Sequence, residues 1–148
     1  MKTRPAGENG NVPPRGLAVA SAFAVSLLAL AGCGQSDDRE AVRATTQHFL
    51  AAYAADRNEA ACGTLSSDTV QELESQEGAP CPDAIGKVEL DGGTVADVEV
   101  SVTNAKVDLA TGESVFLSEQ ADGWKITALG CRSAGKPADE PYDCELTA

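Results

Sequence analysis

The chain has 148 residues, 11 basic and 23 acidic, for a net charge of −12, and 43% of it is hydrophobic. So acidic a protein lacks the basic footprint that nucleic-acid binding requires, and it is not suited to lying flat on anionic lipid. The length fits one domain with a core of modest size.

The first 16 residues, MKTRPAGENGNVPPRG, set Lys2, Arg4 and Arg15 against Glu8 and carry the adjacent Pro13 and Pro14. Such a start is net positive and poor in helix formers. Leu17 to Ala31, LAVASAFAVSLLALA, then runs for 15 residues without a charge. A membrane-spanning helix needs about 20 apolar residues, so this run has the length of an export-signal core.

The run closes on Leu30-Ala31-Gly32-Cys33, which resembles the lipobox of bacterial lipoproteins. The resemblance implies that the Cys33 thiol receives a diacylglyceryl group and that residues 1–32 are a signal peptide cut off just before it. The mature domain is then held to the lipid bilayer at the outer face of the cell membrane by diacylglyceryl (palmitate-type) chains on its N-terminal residue. Two acyl chains anchor stably where one binds only marginally. Losing residues 1–32 leaves eight basic against 22 acidic side chains, a balance that keeps a protein soluble outside the cell.

Four further cysteines remain, Cys62, Cys81, Cys131 and Cys144. An even number in an exported chain predicts two disulfides. Of the three possible pairings, Cys62–Cys81 and Cys131–Cys144 are favoured because each closes a short loop within one region. On the chain-entropy model each is worth about 3 kcal/mol, which supplements a small core. Zinc is disfavoured: there is no C-x-x-C, and the one histidine, His48, is remote in sequence from all four cysteines.

Residues 33–37 are expected to be the lipidated cysteine and a short tether, with one domain over 38–148. At about 3.5 Å per extended residue, this tether keeps the domain within about 10–15 Å of the lipid. Asp37 and Glu40 have the spacing of a capping box opening a long helix. In DREAVRATTQHFLAAYAADRN, Val42, Phe49 and Tyr53 share a stripe that Leu50 flanks. EAACGTLSSDTVQELESQEG predicts two shorter helices broken at Gly63-Thr64, the second beginning near Ser67 or Asp68 and ending at Gly78. CPDAIGKVEL suggests a helical turn and then a short strand at Lys87–Leu90.

Beyond Gly92 the period changes to two. Val98, Val100 and Val102 alternate with polar residues, and so do Val107 and Leu109, Val115 and Leu117, and Trp124, Ile126 and Ala128. Thr103-Asn104, Thr111-Gly112 and Asp122-Gly123 supply turns, which predicts an antiparallel meander with one apolar face. The helix is expected to cover that face. The tail, RSAGKPADEPYDCELTA, is expected to be a loop pinned by Cys144.

This order, a long amphipathic helix, short helices and then strands ending GWKITALGC, resembles the NTF2-like (cystatin-like α+β) superfamily. More narrowly, Gly123-Trp124 and the span from Cys131 to the PYDC at Cys144 resemble small lipoproteins of high-GC Gram-positive bacteria. The resemblance covers about residues 38 to 144. It implies helices packed on a curved antiparallel sheet of four to five strands, with a pocket between helix and sheet. Some members of the superfamily are isomerases or cyclases, and others bind partners. Tyr53, Asp56 and Trp124 are the pocket candidates here, with Tyr53 and Asp56 as a hydroxyl–carboxylate pair in the enzymatic alternative. His48, about 120° round the helix from Val42, is expected to be a half-exposed surface residue. The acidic groups Glu72, Glu74 and Glu77, and Asp139, Glu140, Asp143 and Glu145, do not match a calcium loop and read as solvated charge. No catalytic set, metal or cofactor is expected. The expected role is binding, of a surface protein or a small apolar ligand.

Overall fold

The computed structural model describes residues 33–135 and 142–148. The expected signal peptide and tail residues 136–141, with Asp139 and Glu140, lie outside the described residues. The fold is α+β: an N-terminal helix and several short helices pack against an open antiparallel sheet.

Helix α1 spans Cys33–Ala54. Its alanines favour helix, and Val42, Thr46, Phe49 and Ala52 are fully buried along one stripe. Tyr53 and Leu50 pack at the margin of the core. The helix already includes Cys33, the first described residue, so Asp37 and Glu40 lie inside it and form no capping box. The expected tether is helical too, rising about 1.5 Å per residue instead of 3.5. Nothing in Gly34–Glu40 breaks a helix apart from Gly34 itself. The helix stops at Asp56, which takes a left-handed φ of 53°. There the Asp56 N–H donates to Tyr53 O and the Arg57 N–H to Ala52 O.

Helices α2 (Asn58–Cys62), α3 (Ser67–Glu77) and α4 (Cys81–Ala84) follow. The Ser66 hydroxyl caps α3 by accepting from the Thr69 N–H at 3.1 Å, and left-handed Gly78 closes it. The Cys62–Cys81 bond joins α2 to α4, and Cys131–Cys144 ties the tail to the sheet. The strand expected at Lys87–Leu90 is not formed. Ile85–Lys87 is a 3-10 turn, and the Val88 carbonyl accepts from the Tyr53 hydroxyl at 2.6 Å. That carbonyl is thereby committed to the helix rather than to a sheet ladder.

Strands β1 (Val95–Ser101), β2 (Asn104–Leu109), β3 (Ser114–Gln120) and β4 (Gly123–Ser133) form the meander in sequence order. Val98 faces Val107, which in turn faces Val115; Ala105 faces Leu117, which faces Ile126. These cross-strand rows make the apolar face. Together with Phe49, Leu73 and Ile85 from the helical side they form one contiguous core. Each such side chain fully buried contributes about 1.5–3 kcal/mol.

The tail is not all loop. Two-residue strands β5 (Tyr142–Asp143) and β6 (Leu146–Thr147) both pair with β4, making six strands. The disulfide delivers this segment, and Leu146, 1% exposed, pairs opposite Leu129. On the outer sheet face Tyr142 meets Phe116 edge-on, centroids 4.9 Å apart. Gly130, at φ 63°, is required where the tail crosses: a Cβ there would lie 2.7 Å from Glu145 Cγ.

Val102 departs from the expected face. Ser101 pairs with Asn104, so Val102 and Thr103 form the hairpin loop. Val102 sits at φ 55° and is 85% exposed. A left-handed β-branched residue is strained, and its exposed side chain gains nothing from burial. Val102→Gly is therefore expected to raise the unfolding free energy by about 0.5–1 kcal/mol. Urea titration of the two proteins measures this; a lower midpoint for the glycine variant contradicts it.

Candidate functional site

Two open grooves flank α1. The first lies between its C-terminal half and the segment leading into β1, with a volume of about 560 Å³, within the range of small-molecule sites. Helix α1 contributes Gln47, Leu50, Ala51, Tyr53 and Ala54, and residues 90–95 form the opposite wall.

That wall is held from behind by a charge network. The Glu113 side chain is 2% exposed, and both of its oxygens are engaged. Oε1 accepts from Arg132 Nη2 at 2.8 Å, and Oε2 from the Asp91 N–H at 3.1 Å. The same Arg132 nitrogen reaches Asp91 Oδ2 at 2.6 Å. Two carboxylates share one guanidinium, and the Asp91 backbone is bound to one of them. Thr111 Oγ1 donates to Gly92 O at 2.9 Å and adds a second tie.

Tyr53 stands where the groove meets the core. Its ring stacks on Phe49 with centroids 5.9 Å apart, and its hydroxyl donates to Val88 O. Burial first, and then the charges of Glu113, Asp56 and Glu89, hold the phenol above its ordinary pKa. A phenol raised in this way stays protonated at neutral pH and serves as a hydrogen-bond donor rather than as a base.

The second groove, about 620 Å³, lies on the other side of α1. Ala41, Ala44 and His48 of the helix face Trp124 and Lys125 at the β3–β4 hairpin. Lys125 Nζ donates to Gly63 O at 3.0 Å and pairs with Asp122 at 3.1 Å, so its charge is tied to the framework.

The three pocket candidates are thus not brought into one site. Tyr53 lines the first groove, while Trp124, 7% exposed, lines the second and belongs to the core. Asp56 is exposed at the end of α1 and lines neither groove. His48 is exposed and borders the second groove. The acidic run of α3 is dispersed among separate partners: Glu72 accepts from Gln76, Glu74 from the Cys81 N–H, and Glu77 pairs with Lys87. Among the described residues no group of three or more His, Cys, Asp or Glu side chains is placed to hold a metal ion, and no helix is long and apolar enough to cross a membrane.

Glu113 and Arg132 were not among the sequence candidates. Glu113 is nevertheless in phase with Val115 and Leu117, the inward positions of β3, and a charge in an inward phase is the signal that marks it. No protein-family model matches this chain, and neither a curated protein nor a solved structure matches it significantly.

Proposed function

We propose that the protein is a lipoprotein of the outer face of the cell membrane, acylated at Cys33, whose folded part is a non-enzymatic binding domain of the NTF2-like kind. The observation that carries the anchor is the sequence Leu30-Ala31-Gly32-Cys33 at the end of a 15-residue uncharged run. Two disulfides in so small a chain agree with an oxidising, extracytoplasmic home. The NTF2-like kinship draws support from the element order, a long helix and short helices followed by an antiparallel meander.

Binding is favoured over chemistry by the way the polar groups are used. The Tyr53 proton is directed at a backbone carbonyl, Asp56 stands outside the groove, and Glu113 is engaged through both oxygens. The ligand is a small molecule seated beside α1 or a surface protein docked on the same side. The anchor is tested by Cys33→Ser in the producing cell. The variant is expected to leave the membrane fraction for the soluble fraction or medium, and its retention in the membrane contradicts the proposal.

A further inference from the structure

The floor of the first groove is Leu50, Tyr53, Leu90 and Val95, all partly buried and packed against the core. A ligand that covers them completes burial the chain leaves unfinished. The lining has no Lys, Arg or His. Its charged member is Asp91, whose side chain is 60% exposed. Behind it one Arg132 serves two carboxylates, so the network keeps an excess of negative charge. The carboxylates of Glu113, Asp56 and Glu89 all act on the Tyr53 hydroxyl, which places the groove in a negative field. A carboxylate that already accepts from one donor has lone pairs for others. An apolar floor with a negative rim selects a positively charged head on a hydrocarbon body and repels a carboxylate of the same shape.

We propose that the groove between α1 and residues 90–95 binds an organic cation, an amine carried on a compact apolar body, with the ammonium at Asp91 and the body over Leu50, Leu90 and Val95. This rests on the binding-domain reading above and adds to it the chemical class of the ligand.

Three probes with one ring and different heads test it: cyclohexylmethylamine, cyclohexylmethanol and cyclohexanecarboxylate. Each is titrated calorimetrically into the full-length protein in neutral-lipid nanodiscs, with empty nanodiscs as the blank. The amine is expected to bind at least about tenfold more tightly than either of the others. Asp91→Asn should remove that preference, and Ala51→Arg, which fills the groove from the exposed helix face with a cation, should abolish amine binding. Thermal melts of both variants establish that they are folded. If the alcohol or the carboxylate binds as well as the amine, the cation assignment is overturned while the groove remains a ligand site. If none of the three binds, or the amine preference survives in folded Asp91→Asn, the site itself is overturned. Fractionation of Cys33→Ser does not involve the groove, so it decides the anchor separately.

Discussion

The Glu113→Ala protein is expected to unfold with a free energy about 2–4 kcal/mol below that of the unaltered chain. Glu113 is buried to 2% exposure, and three things depend on its side chain. The Asp91 N–H loses its acceptor, Arg132 loses one of two carboxylate partners, and a cavity opens behind the β2–β3 turn. Glu113→Gln keeps the shape and an oxygen for the Asp91 N–H but not the charge, so a smaller loss is expected. Replacing Glu113 by leucine should recover part of the loss, because an apolar side chain refills the cavity, while Arg132 is half exposed and still pairs with Asp91. Urea unfolding of the four proteins measures the series. A loss under about 0.5 kcal/mol for Glu113→Ala, the range of ordinary surface substitutions, contradicts the account. The same variant frees the segment around Asp91, so it should also loosen one wall of the first groove. Faster amide exchange at Gly92 and Gly93 is the expected sign.

Removing the disulfides should have the other large effect. The bonds span 19 and 13 residues. On the chain-entropy model each restricts the unfolded chain by about 3 kcal/mol, so losing both costs about 6 kcal/mol. Domains of this size have about 5–15 kcal/mol of stability in all. Cys62→Ala with Cys81→Ala is expected to shift the urea midpoint downward and leave the fold intact. Reduction of both bonds should unfold a large share of the protein at 37 °C. The Cys131–Cys144 bond has an added role, since it holds the tail where Leu146 buries itself beside Leu129. A reduced protein with an unchanged midpoint contradicts both estimates.

How much of this was legible in the sequence depends on the range of the interaction involved. Local rules placed α3 well: Ser66 caps it, Gly78 ends it, and both are short-range signals. Alternation placed β2 to β4 because one face of each is buried over most of its length, whereas in β1 only Val98 is fully covered. The favoured cysteine pairs formed because short loops bring their ends together at low entropic cost. What was missed is non-local. Lys87–Leu90 carries strand-like residues, yet the hydroxyl of Tyr53, 35 positions earlier, takes the Val88 carbonyl. Strands β5 and β6 have two residues each, too few to show a period, and exist because β4 offers them an edge. Asp37 and Glu40 match a capping box, but a match does not start a helix where the preceding residues can already be helical. Tyr53 and Trp124 both lie toward the core, and only the packing of α1 across the sheet divides them between its two sides. The groove wall depends on Glu113 and Arg132, 19 residues apart, and pairing at that distance has no local sequence signal.

Acylation of the N-terminus is tested by mass spectrometry of the N-terminal peptide of the protein isolated from its own cell envelope. The expected peptide begins at Cys33 and carries the added mass of a diacylglyceryl group, with residues 1–32 gone. An unmodified Cys33, or a mature chain that begins elsewhere, contradicts it.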